Sequence, residues 1–210
     1  ILHKHKSQNV ILMKKWLPLI IIALLIFGLY SWVKGFNNTA VNLKETTSKN
    51  WGQVESSYQR RNDLIGNLVK TVQGAADFEK STLEAVIKAR SQATQTTIDP
   101  ANITPEQLAL FNKAQSGLSN ALSRLLVTVE RYPDLKANQN FLELQSQLEG
   151  TENRINVSRD RFNESVEPYN KHIKTFPNTL LAGVLGFEDL NYYKSDIGSE
   201  KAPEIDFEFQ

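Results

Sequence analysis

The sequence predicts an all-α protein. It has one N-terminal transmembrane helix, an antiparallel up-and-down four-helix bundle of long helices, and an irregular C-terminal tail. Three observations lead there. Residues 16–33 carry no charge. Beyond them apolar residues recur at alternating spacings of three and four, the period of one helix face. Pro is absent from Lys34 to Asp99, so nothing interrupts long helices there.

Composition narrows the function classes. The 177 residues after Val33 suffice for one domain with a core. They carry 20 basic and 23 acidic side chains. That balance argues against nucleic acid as a partner, since neutralising phosphates needs a basic face. The absence of Cys removes disulfides, thiol nucleophiles, Cys-ligated zinc, iron–sulfur clusters and a lipid-modified cysteine anchor. Of three His, only His172 follows the apolar run. We therefore expect no enzyme, no catalytic or cofactor-binding residues and no cofactor.

The run Trp16–Val33 reaches the roughly 20 residues that cross a bilayer once its flanks are included. Trp16 lies at one end and Tyr30 and Trp32 at the other, where amphipathic rings favour the interface. A cleaved signal peptide would need a small-x-small site after the run; Tyr-Ser-Trp-Val-Lys stands there instead. A buried soluble helix would not be apolar on every side. Lys14 and Lys15 abut the N-terminal end and only Lys34 the other. The positive-inside bias then places residues 1–15 as a short basic cytoplasmic N-terminus and residues 34–210 outside the cytoplasm, at the cell membrane. Met13-Lys-Lys-Trp is a normal beginning for such an anchor, so residues 1–12 are set aside from fold reasoning.

The bundle is expected over residues 34–175. Its first helix, about 36–73, carries Trp51, Val54, Tyr58, Ile65, Leu68 and Val72 on one stripe, with Arg61 in the remaining slot. Gly74 and the following Ala-Ala-Asp mark a break. A second helix, about 77–97, should turn Phe78, Leu83, Val86, Ile87 and Ala93 inward. Thr104-Pro105-Glu106-Gln107 is a capping box with Pro at the first helical position. It opens a third helix, about 105–131, with Leu108, Phe111, Leu118, Leu122, Leu125 and Val129 inward. Tyr132-Pro133-Asp134 ends it. The fourth, about 135–174, has a seven-residue series: Phe141, Leu148, Ile155, Phe162, Tyr169 and Phe176. Leu144, Val166 and Ile173 widen it, and Pro168 should kink it or leave a hydrogen-bond gap. Four antiparallel helices return the chain to its starting end, so the end of the fourth should approach the membrane. The tail, 176–210, has apolar residues at 178–187, expected to pack along the bundle or rest on the membrane surface. After Tyr193 come a polar turn and a period-two segment, Glu204 to Gln210, that reads as a strand.

Arg61 is the sharpest local anomaly. A lone charge on an apolar seam is costly to bury, so it needs a partner. Register along the first and fourth helices places Glu152 at similar height, predicting an Arg61–Glu152 contact. Asp63, Asn62, Asn156 and Arg159 are the other members of a polar network that fixes helix register or forms an interaction site. Arg154, Arg159 and Arg161 are expected to pair with acids such as Glu149 and Asp160. The carboxylates Glu143, Glu149, Glu152 and Asp160 lack the paired Glu-x-x-His of a di-iron bundle, so no metal is expected. His172 is expected to be solvated or packed.

Several blocks carry a family resemblance. They are Trp51-Gly-Gln-Val54, Gln59-Arg-Arg-Asn-Asp-Leu-Ile-Gly-Asn-Leu-Val69, Thr71-Val-Gln-Gly74, Glu79 to Val86 and Ala89-Arg90. Glu152-Asn-Arg-Ile155, Arg159-Asp-Arg-Phe-Asn163, Val166, Tyr169-Asn170, Phe176-Pro-Asn178 and Gly186-Phe187 complete the set. After a single membrane helix, these resemble the signature blocks of the LemA family, with Gly66 where the family usually has Pro. The resemblance implies a bacterial, membrane-anchored bundle of long antiparallel helices without an established catalytic activity. Some members resemble partners of the HtpX type of membrane protease, or magnetosome membrane proteins. The expected function is a non-catalytic scaffold or modulator of other envelope proteins. The expected partners are the lipid bilayer, another membrane protein such as an HtpX-type protease, and further copies of the chain. The alternatives are a small-molecule or stress sensor and a self-assembling membrane-surface protein.

Overall fold

A computed structural model describes residues 2–75, 78–100 and 103–193, with side chains from Trp16 onward. The polar turn after Tyr193 and the period-two segment at 204–210 lie outside the described residues. Among the described residues six helices form: α1 (Leu2–Gln73), α2 (Lys80–Gln95), α3 (Pro105–Val129), α4 (Pro133–Lys136), α5 (Gln139–Lys174) and α6 (Asn178–Leu185). Among the described residues there is no strand, in keeping with the predicted all-α class.

The expected membrane helix and first bundle helix are one element. α1 runs unbroken through Gly35, because an isolated Gly lowers helix propensity by only about 1 kcal/mol and the flanking residues keep every backbone donor. It is the one described helix long and apolar enough to cross a membrane. The side chains of Trp16 to Tyr30 are exposed all round it. The chain divides into two compact units. One takes α1 through Leu43 together with Lys171–Glu188; the other takes Lys44–Asn170 and the segment from Asp189.

The second unit is the bundle. Its contacts set the directions. Along α1, Thr47, Asn50 and Arg61 meet Ser165, Arg161 and Glu152 of α5 in descending order, so the two helices are antiparallel. Ser48 and Asn62 of α1 likewise meet Pro100 and Arg90. Across α2 and α3, Gln115 reaches Ala93 while Tyr132 and Arg131 reach Phe78 and Glu79. The seam residues Trp51, Val54, Tyr58, Ile65, Leu68 and Val72 are all buried, as are the six inward positions expected of α3. Leu83, Val86 and Ala93 of α2 join them.

The structure corrects several boundaries. α2 is shorter than expected because Glu79 and Thr96 both adopt extended backbone. Ile87 is exposed rather than inward, since it follows Val86 by one residue, about 100° around the helix. The fourth helix is preceded by a separate turn, α4. Asn138 ends that turn and caps α5, its Oδ1 accepting from the N–H groups of Asn140 (3.0 Å) and Phe141 (3.2 Å). α5 continues through Pro168 as a helix. The heptad series is buried from Phe141 to Tyr169, but Phe176 is exposed because α5 stops at Lys174. The capping box at Thr104 forms as predicted, with Gln107 N donating to Thr104 Oγ1 and Thr104 N to Gln107 Oε1, both at 3.2 Å.

In the first unit His172, in the last turn of α5, is packed. Its ring stacks on Phe36 of α1 at 5.0 Å, and its Nε2 lies 3.1 Å from the Phe36 carbonyl. The end of α5 therefore lies beside α1 three residues beyond the apolar run. α6 ends at Gly186, whose φ of +72° is left-handed backbone that favours glycine, with Phe187 N donating to Ala182 O at 2.9 Å.

Candidate functional site

Two polar clusters interrupt the apolar core of the bundle. The first centres on Arg61, only 3% exposed. Its Nη2 donates to Ser119 Oγ of α3 at 2.5 Å, and that hydroxyl donates to the Gln115 carbonyl at 3.1 Å. Its Nε lies 2.9 Å from Glu152 Oε1. The Nε–H does not point along that line, so the contact is an ion pair rather than an aligned hydrogen bond. The Glu152 side chain is 48% exposed and borders a cleft of about 330 Å³, lined also by Ser119, Ser123, Gln145 and Glu149. One carboxylate oxygen thus neutralises the buried guanidinium while water solvates the remainder.

This arrangement separates the two partners energetically. Glu152→Ala should destabilise by about 1–3 kcal/mol, below the 3–5 kcal/mol of a fully buried pair because water enters at the cleft. Arg61→Leu should be nearly neutral, since an apolar residue then fills an apolar seam and Ser119 keeps its bond to Gln115. Denaturant unfolding of both variants checks the contrast; equal losses would contradict it.

The second cluster gathers around Arg159, one heptad beyond Glu152. Its Nη2 donates to Tyr58 Oη, and its guanidinium carbon lies 4.4 Å from the Tyr193 ring centre. The Tyr58 and Tyr193 hydroxyls are 3.0 Å apart. Burial opposes charge on Arg159, but the neighbouring Tyr58 and Tyr193 oxygens outweigh it and raise its pKa. Burial, seconded by Tyr58 and opposed by Arg159, pushes the Tyr193 phenol well above the ordinary tyrosine range. The folded protein thus holds this proton more tightly than the unfolded chain. That stabilisation is complete below about pH 10 and is lost as pH rises beyond it. An ultraviolet phenolate titration should show Tyr193 ionising only with alkaline unfolding, and Tyr193→Phe should flatten the fall of stability above pH 10.

Two asparagines hold the segment that ends in Tyr193. Asn163 accepts from Tyr193 N (2.7 Å) and donates to Tyr193 O (2.9 Å). Asn170, seven residues on, does the same for Leu190, both bonds at 2.8 Å. Each side-chain amide pairs with the main chain as a neighbouring strand would. Over this sits an aromatic group: Trp51 meets Phe162 at 5.2 Å, Phe111 at 5.6 Å and Tyr193 at 6.5 Å.

The expected single network is therefore divided. Arg61 and Glu152 meet. Asp63 does not join them: it lies about 200° around α1 from Arg61, and its Oδ1 is 3.7 Å from Arg90 Nη2. Arg90 Nε donates to Asn62 O at 2.7 Å. Gly66 makes room for it, since a Cβ there would lie 3.1 Å from the Arg90 guanidinium. Asn156 is exposed on α5, roughly 40° further from the buried stripe than Glu152. Arg159 pairs with tyrosines rather than with Glu149 or Asp160, because it faces the bundle beside Phe162. Sequence reasoning missed Ser119, Asn163, Asn170 and Tyr193 as site residues. The available signal was Asn163 and Asn170 each following a buried aromatic at heptad spacing.

A second cleft, of about 310 Å³, is lined by Tyr58, Asn62, Asp63, Arg90, Phe111 and Gln115. The buried Asn62 Oδ1 and Gln115 Oε1 on it have no hydrogen-bond partner among the described residues. Among the described residues no group of three or more His, Cys, Asp or Glu is placed to hold a metal.

The family model for the LemA family matches residues 50–207. Magnetosome protein MamQ 2 of Paramagnetospirillum magneticum is 29% identical over 175 residues, covering 75% of this chain and 64% of that protein. Magnetosome protein MamQ of Magnetospirillum gryphiswaldense is 29% identical over 174 residues, covering 74% and 64%. Protein LemA of Metamycoplasma hominis is 22% identical over 142 residues, covering 68% and 61%. The chain thus spans less than two thirds of the length of these relatives.

Proposed function

Because the chain belongs to the LemA family, we propose that it is a single-pass, non-catalytic scaffold that modulates other membrane proteins of the cell envelope. Family membership and the apolar helix together mark it as membrane-associated. The observation that carries the reading is α1, one helix that supplies both a fully exposed apolar run and the buried seam of a bundle. A bundle with polar helix surfaces on such an anchor suits recognition of a neighbour in the same membrane. A protease of the HtpX type is a partner of this kind. The basic flank at Lys14 and Lys15 supports a cytoplasmic N-terminus and an extracytoplasmic bundle.

Both parts are testable, and the lack of Cys makes any introduced thiol unique. Thr94→Cys, exposed on α2, should react with a membrane-impermeant maleimide in intact cells whose outer face is accessible. Labelling only after lysis would reverse the orientation. Photo-crosslinking in membranes with mass spectrometry should join the bundle surface to a second membrane protein. Links only between copies would favour self-assembly, and no links at all would overturn the scaffold.

The unpartnered acceptors of the second cleft favour a further reading, a sensor of a small hydrogen-bond donor. Native mass spectrometry of the solubilised chain should then retain such a molecule, and Gln115→Leu should lose it.

A further inference from the structure

We infer that α6 is an interfacial helix, lying in the headgroup region of the bilayer with Phe176, Leu180, Val184 and Leu185 turned into lipid. Its occupant is the lipid surface around the chain's own membrane span. The inference rests on reading residues 16–33 as that span.

The first observation is an apolar surface with nothing charged on it. α6 reads Asn-Thr-Leu-Leu-Ala-Gly-Val-Leu, without one ionisable group. Ala182 is its buried residue. Leu180 is 59% exposed, Val184 83%, and Phe176 just before the helix 75%. Leu180 and Val184 are four apart and share a face. Such a face in water is unfavourable, and an exposed apolar cluster marks a surface that another medium covers.

The second observation is where the helix is fastened. At its start, Asn178 Nδ2 donates to the His172 carbonyl at 3.1 Å. Just past its end, the Phe187 ring packs edge-on against Phe36 at 5.6 Å. His172 and Phe36 are themselves stacked. Both ends of α6 are thus tied within a side chain's reach of Phe36. Phe36 follows the last residue of the uncharged run by three positions, about 4.5 Å of helix rise. Trp32, one turn earlier, is the kind of residue that marks the membrane–water interface. A helix held at both ends to this level lies along the interface, where apolar faces enter the acyl boundary by about 5–10 Å.

Charge agrees. Between residues 34–43 and 171–188 the ionisable side chains besides His172 are Lys34, Lys171, Lys174 and Glu188. Three cations against one anion favour an anionic headgroup layer.

The test uses the full chain in vesicles of phosphatidylcholine and phosphatidylglycerol. Single cysteines replace Val184, Leu25 or Thr94 and carry a nitrobenzoxadiazole dye. Lipids with a nitroxide near the headgroup, or in a parallel set deep on the acyl chain, quench from the membrane, and iodide quenches from water. Dyes at 25 and 184 should be quenched by the lipid nitroxide and shielded from iodide, and the dye at 94 the reverse. Leu180→Glu should raise iodide quenching several-fold in the Val184→Cys chain and leave the Leu25→Cys chain unchanged. If 25 reports lipid and 184 behaves like 94, the anchor stands and α6 as an interfacial helix is overturned. If 25 also reports water, the span itself is refuted. Shielding of 184 that grows with protein-to-lipid ratio, without nitroxide quenching, would assign the face to a second copy and overturn the proposal.

Discussion

Trp51→Ala should lower the unfolding free energy by about 3–5 kcal/mol, the range for emptying a large aromatic from a core. Trp51 is fully buried and touches rings from α3, α5 and the segment after α6, so no single neighbour can collapse into the space. Trp51→Phe should behave differently. The indole N–H has no hydrogen-bond partner among the described residues, and a buried donor left unpaired costs about 1–3 kcal/mol. Phe removes that penalty while opening a smaller cavity. The two terms are of similar size, so the net change should stay within about 1 kcal/mol. Denaturant unfolding of the full chain in detergent, followed by circular dichroism, measures both variants. A Phe variant as unstable as the Ala variant would show that ring volume alone governs the site.

The double substitution Asn163→Ala/Asn170→Ala should detach the extended segment at 189–193. Four hydrogen bonds disappear together, each with a net value of about 1 kcal/mol, giving an upper limit near 4 kcal/mol. The released main chain regains water, which reduces the loss. The helices keep their own seam, so helical content should hardly change. The signature is local: amide exchange at Leu190 and Tyr193 should accelerate sharply, and protease should cut near residue 190 before the bundle unfolds. Each single variant should loosen the amide it holds more than the other. Uniform acceleration across α1, α3 and α5 would mean instead that the segment is integral to the bundle core.

These two sites differ in how visible they are in the sequence. Trp51 opens a stripe whose spacing declares its burial, and Arg61 stands out because it occupies a slot of that stripe. Counting along two antiparallel helices brings Glu152 to Arg61. Ser119 carries no such mark, since a serine on a helix reads equally well as exposed. Nor does Tyr193, which meets Tyr58 across 135 residues of sequence and sits in a segment without periodicity. Asp63 lies near Arg61 and Asn156 near Glu152 in sequence, but the turn of each helix carries them away from the ion pair.

The sequence by itself determined the all-α class, the apolar run, the seam residues of the bundle helices apart from Ile87 and Phe176, and the capped start of α3. Each follows from the pitch of a single helix, which a few consecutive residues report. Only the tertiary structure decided that α1 is unbroken, that Arg159 pairs with tyrosines, that two asparagines grip the 189–193 segment and that α6 keeps its apolar face exposed. Those outcomes depend on the register and rotation of elements far apart in the chain, and no local pattern of side chains encodes that geometry.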